Sequence, residues 1–130
     1  MIVLHASAAV DWLLHTPAGL GIEKRIYSRN ESLHAPHLID VEVAQVLRRL
    51  VREGTVSADR AGQAIQDLFD LRLTRYPHFV LLPRIWQLRN NLSAYDAAYV
   101  ALAEALNATL VTRDAGMKSA PGHTASIELL

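Results

Sequence analysis

The stretch Leu92–Asp114, LSAYDAAYVALAEALNATLVTRD, limits the fold more than any other part of the chain. Ser93 is a good helix cap, and the alanine-rich run after it reads as a helix. That helix is apolar almost all round: Ala94, Ala97, Ala98, Val100, Ala101, Leu102, Ala103, Ala105 and Leu106. A helix of this kind is buried on more than one side. The β-type run Thr109–Thr112 follows after Asn107-Ala108, and the stretch ends on Asp114. Asp96 sits in the first helical turn, where a carboxylate is costly to desolvate without a partner. One acid in a buried helix and another just past the next strand suggest a site rather than a surface.

The rest of the chain supplies a scaffold for such a site. Ile2-Val3-Leu4 is a continuous apolar run suited to a buried parallel strand. Ser7 is expected to cap a helix over 8–14, and Pro17 to open another through about Arg29, with Ile22 and Ile26 on one face. Residues 33–36 read as a second strand. A long helix from Leu38 to Glu53 stops at Gly54. Its apolar residues cover most of its surface, while Glu42, Gln45, Arg49 and Arg52 make a single polar stripe, an acid leading into bases. Ser57 caps a helix over about 58–71 with Ala61, Ala64, Ile65 and Leu68 inward. Residues 73–76 form a further strand, and 78–89 a helix that Pro83 kinks or restarts. Residues 116–121 are irregular or briefly helical, and 127–130 are a final strand. Short strands alternating with helices predict a three-layer α/β/α sandwich around a short parallel sheet, folded as a single domain over 1–130.

Composition narrows the function. Hydrophobic residues make up 51% of the 130 and charged residues 20%, which argues against disorder. The absence of cysteine excludes disulfides and thiolate zinc sites. No basic n-region precedes the first apolar run, and no run approaches the ~20 residues needed to cross a bilayer. The expectation is a cytoplasmic protein without a membrane partner. The 13 basic residues balance 13 acidic ones, so no general basic patch marks a nucleic-acid binder, although all but Lys24 and Lys118 of the bases are arginine.

Ligands of a parallel sheet bind at the carboxyl ends of its strands. His5 and Asp114 each follow a strand, so both belong at that edge, with Glu42 and Asp96 as the other candidates. Clustered carboxylates stay ionised together beside a cation, and oxygen ligands select hard ions such as Mg2+ or Mn2+. Such an ion activates water and steadies charge on a phosphoryl oxygen, which suggests phosphodiester hydrolysis.

These residues carry a resemblance. The segments IVLHASAAV, HAPHLIDVEVAQVLRR, LSAYDAAYVALAEAL and TLVTRD resemble a PIN-domain ribonuclease of the VapC toxin type, over essentially the whole chain. The resemblance implies a parallel α/β/α sandwich and Mg2+- or Mn2+-dependent endoribonuclease activity on RNA. It further implies a homodimer and a cognate VapB-type antitoxin that covers the site. The family's acids fall on Glu42, Asp96 and Asp114, and its supporting hydroxyls on Ser7 and Thr112. Its first acid, at the end of the first strand, falls on His5. Histidine offers one nitrogen where a carboxylate offers two anionic oxygens. The expectation is therefore a metal site of His5, Glu42, Asp96 and Asp114 with impaired activity. The alternative is a catalytically dead module that binds an antitoxin or RNA. A zinc site on His34, His37 and His5 lacks the usual helix signature, and a receiver-type phosphoacceptor lacks its paired acids and late lysine. Trp12 and Trp86 read as core or interface anchors.

Overall fold

A computed structural model describes residues 1–130. Five strands, β1 (Ile2–Leu4), β2 (Leu33–Pro36), β3 (Leu73–Tyr76), β4 (Thr109–Thr112) and β5 (Ser126–Leu129), form one sheet in the order β3-β2-β1-β4-β5. Every pairing is parallel, with Leu4 opposite Val111 and Val3 opposite His34. All three residues of β1 are fully buried. Successive strand residues face opposite sides of a sheet, so both faces of β1 are covered and the layers number three.

The helices are α1 (Ala6–Leu13), α2 (Pro17–Ser28), α3 (Leu38–Arg52), α4 (Ala58–Asp70), α5 (Leu82–Gln87), α6 (Ala94–Leu106) and α7 (Ala115–Ser119), with a 3₁₀ turn at Phe79–Leu81 before α5. Helix α6 lies across β1, β2 and β4, and its seven residues from Ala97 to Ala103 are all buried. The all-round apolar pattern thus marks the central covering helix. Its ends are set locally: the Ser93 hydroxyl accepts from the Asp96 N–H, and Asn107 closes the helix in the left-handed region at φ 49°. Thr16 and Ser57 cap α2 and α4 in the same way. Pro83 restarts the chain as α5 after the 3₁₀ turn, where its missing N–H costs nothing.

Two sequence expectations, on Ser7 and Ile65, need correction. Ser7 does not cap α1: His5 holds the N-cap position without a side-chain bond, and the Ser7 hydroxyl is engaged elsewhere. On α3 only Ile39, Val43 and Leu47 are buried, and Val41 is 72% exposed. Ile65 of α4 is likewise exposed. In both helices the apolar surface is wider than the core behind it.

Order reverses between β1 and its neighbours: the chain leaves β1 toward β2 and β3, then returns to β4 and β5 on the other side. The carboxyl ends of β1 and β4 at this switch point form the crevice where parallel sheets bind ligands. His5 continues the ladder there, its N–H donating to the Val111 carbonyl at 3.0 Å.

Candidate metal centre

His5 is 6% exposed, and each of its ring nitrogens has a partner. Nε2 stands 3.1 Å from Oδ1 of Asp96, and Nδ1 stands 2.8 Å from Oγ of Ser7 and 3.1 Å from Oγ1 of Thr112. An ionised carboxylate only accepts, so in this arrangement Nε2 carries the proton and donates it to Asp96. The two hydroxyls are anchored by main chain. Ser7 accepts from the Arg113 N–H and Thr112 from the Asp114 N–H, both at 3.0 Å. Each hydroxyl keeps its own proton for Nδ1 or for the other hydroxyl, 3.4 Å away. The ring edge is fixed by Tyr99, whose centroid lies 4.6 Å from that of His5 at 75°.

Tyr99 joins the second acid to this pair. It follows Asp96 by three residues on α6, so both lie on one helix face. Its hydroxyl donates to Oε1 of Glu42 at 2.7 Å. Burial raises the Glu42 carboxyl above its ordinary range, the Tyr99 hydrogen bond and His5 pull it down, and the Asp96 charge adds to the rise. Burial, then the Glu42 bond, raises the Tyr99 phenol as well. Tyr99 is a site residue that the sequence analysis does not single out. Its distance of three from Asp96 was the available signal.

Asp114 follows β4, as expected, and one of its oxygens caps α7 through the N–H groups of Gly116 and Met117. Asp11 binds Thr16 and Arg113 instead and takes no part. The four candidates occupy one sheet edge, but no three histidine or acidic side chains converge into a cage. Each acid has a protein partner: His5 for Asp96, Tyr99 for Glu42 and the α7 cap for Asp114. In every case only one oxygen is engaged, and Oδ2 of Asp96, Oε2 of Glu42 and Oδ2 of Asp114 accept no protein hydrogen bond. Three free carboxylate oxygens are the donor chemistry a hard divalent ion takes, although the side chains do not converge on one point.

Two further histidines have structural partners. Both nitrogens of buried His34 are used, by Ser32 and Tyr76 at 2.7 Å each, so the zinc alternative has no ligand there. His78 accepts from the Leu38 N–H. Trp12 is a core residue, whereas Trp86 is 67% exposed.

The PIN domain profile matches residues 2–122. The chain belongs to the PIN-domain family. Ribonuclease VapC9 of Mycobacterium tuberculosis is 49% identical over 114 residues, 88% of this chain and 86% of its own. Ribonuclease VapC12 of the same organism is 40% identical over 130 residues, covering 100% of this PIN domain and 99% of the relative. Among solved structures, VapBC2 from Rickettsia felis, bound to a DNA fragment from the promoter, superposes with a TM-score of 0.65 at 19% identity. That match covers 99% of this chain and 98% of the other. At that identity the likeness shows the fold alone.

Proposed function

We propose that this PIN domain is the toxin of a toxin–antitoxin pair, a divalent-metal-dependent endoribonuclease that hydrolyses RNA phosphodiesters. The observation that carries the reading is the sheet-edge grouping of Glu42, Asp96 and Asp114, each with one free oxygen, in a chain 49% identical to a VapC ribonuclease. In this reading Asp96, Asp114 and His5 hold the ion, Mg2+ or Mn2+. A bound divalent ion supplies an activated water and stabilises charge on a phosphoryl oxygen. Glu42 receives the proton of the attacking water, a role that suits a carboxyl raised by burial. Ser7 and Thr112 position His5 through Nδ1. Exposed Arg49 and Arg52 continue the α3 stripe away from Glu42 and suit contacts to RNA phosphates.

A VapB-type antitoxin is the proposed protein partner. The groove on α3 and α4 lined by Ala44, Ile65, Leu68 and Phe69, with the Asp40–Arg75 ion pair at its edge, fits the apolar face of a partner helix. Exposed Phe79, Val80, Leu82 and Trp86 form a second apolar run that suits a homodimer contact. No helix is long and apolar enough to cross a membrane, and the proposed RNA substrate is consistent with a cytoplasmic location.

His5 is expected to lower activity in Mg2+. Cleavage of RNA by purified protein tests the reading: His5→Asp raises the Mg2+-dependent rate, and Asp114→Asn lowers it by roughly 100-fold. Equal rates in all three proteins would overturn the assignment.

A further inference from the structure

One cavity lies away from the acids. It has a volume of about 420 Å3 and opens between α1, α2 and the starts of β2 and β3. Trp12, Tyr27 and Leu33 wall it, with Asn30, Arg72 and Thr74 around its mouth. The volume is within the ~300–1,000 Å3 usual for small-molecule pockets. Leu33 pairs with Ile2 at the start of β1, whereas His5 follows the end of that strand. The cavity therefore belongs to the amino edge of the sheet and the acids to its carboxyl edge, about 10 Å apart along the strands.

Its hydrogen-bonding groups are unevenly spent. Both oxygens of the neighbouring Glu31 are held, Oε1 by Arg25 and Oε2 by the amino group of Met1. Ser32 Oγ is paired with Nε2 of His34. The donors, by contrast, are free. Trp12 is 6% exposed, yet its indole N–H meets no protein acceptor. The one sealed side-chain polar atom without a partner is Nε2 of His123, so the indole N–H is open, and it opens where Trp12 lines the cavity. Arg72 is exposed and forms no ion pair, and the Asn30 amide and Thr74 hydroxyl are likewise without partners.

A cleft that offers donors and no free carboxylate takes a ligand rich in acceptors. A guanidinium without a carboxylate partner suits a phosphate, which it can meet with two parallel hydrogen bonds. The walls suit a planar ring. Tyr27 stands edge-on to Trp12, with centroids 6.3 Å apart at 77°, and at 67% exposure its ring is open to a stacking partner.

We propose that this cleft binds a nucleoside monophosphate. The base stacks on Tyr27 and accepts from the indole N–H of Trp12, and the phosphate is met by Arg72. Asn30 and Thr74 serve the ribose and the remaining oxygens. The site stands independently of the metal-dependent reading above, because it uses none of the acids. Its ligand chemistry has two sources, a free nucleotide and the phosphorylated end of an RNA.

Proton–nitrogen NMR of the indole N–H groups of Trp12 and Trp86, titrated with AMP in the presence of EDTA, tests this. The Trp12 signal should shift, and that of exposed Trp86 on α5 should not. Adenosine should bind wild type roughly tenfold more weakly than AMP, and Arg72→Ala should bring AMP down to the level of adenosine. Tyr27→Leu should weaken AMP and adenosine alike, by roughly tenfold. A short RNA with a 5′-phosphate that shifts Trp12 at lower concentration than AMP makes an RNA end the source, and the reverse order makes it a free nucleotide. Either order supports the site. A Trp12 signal unmoved by AMP in wild type overturns the proposal without recourse to any variant. Equal binding of AMP and adenosine overturns it as well, since the phosphate would add nothing, and so does equal binding of AMP and inorganic phosphate, since the ring would add nothing.

Discussion

At the end of β1 an imidazole stands against Asp96, and Tyr99 ties this pair to Glu42. Tyr99 makes two contacts, an edge-to-face ring contact with His5 and a hydroxyl hydrogen bond donated to Glu42. Tyr99→Phe keeps the packing and removes the donor. It is expected to cost about 1–2 kcal/mol in denaturant unfolding and to raise the Glu42 carboxyl further, because the lost bond is one of the two contacts that lower it. An unchanged Glu42 titration in Tyr99→Phe, followed by carboxyl NMR, would contradict this coupling. At this scale the sequence is an incomplete guide. His5, Glu42, Asp96 and Asp114 are legible because strand ends and helix faces place them at one edge. The role of Tyr99 is not, because it is set by Glu42, 57 positions away.

Element by element, most boundaries follow from local chemistry. Ser93, Thr16 and Ser57 cap helices through their hydroxyls, and Asn107 and Gly54 end them with positive φ. What remains hidden is depth. The apolar pattern of α3 includes Val41, yet nothing covers it, since periodicity tells which face a residue occupies and not whether another element reaches it. Two glycines show the same lesson. Gly19 lies where α2 crosses α1, and a Cβ there would meet the Asp11 carbonyl, with its carbon at 2.6 Å and Trp12 Cα at 3.0 Å. Gly62 on α4 has open space around its Cβ position. Gly19→Ala should therefore destabilise by about 3 kcal/mol, whereas Gly62→Ala should stabilise by about 0.5–1 kcal/mol. Urea unfolding midpoints check both, and a stabilising Gly19→Ala would refute the close crossing.

Across the whole molecule, parallel strand order carries the site to the β1–β4 switch point, and ion pairs fasten the outer segments around it. Arg25 binds Glu31 and Glu128, joining α2 to β5. Arg84 of α5 binds Glu104 of α6, which also accepts from the Thr124 N–H and hydroxyl. The Arg84 bond, with Thr124 adding to it, holds the Glu104 carboxyl down to about 2 from an ordinary 4.5. A lowered carboxyl stabilises the fold above its ordinary value and loses that contribution as pH falls toward the lowered one. Glu104→Gln should thus cost about 1–3 kcal/mol near neutrality. The gap to wild type should close between pH 4.5 and about 2 in acid unfolding. Glu42 has the opposite sign, because its raised carboxyl is relieved rather than strained by protonation.

The proposed activity is divalent-metal-dependent RNA cleavage at this group of acids. Turnover of a labelled RNA by wild type and Asp96→Asn in Mn2+ measures it directly, with circular dichroism to match the folds. Wild type should cleave the RNA, lose that activity on removal of Mn2+, and fall by roughly 100-fold or more in Asp96→Asn. Equal cleavage by both proteins, or cleavage undiminished by chelation, would contradict it.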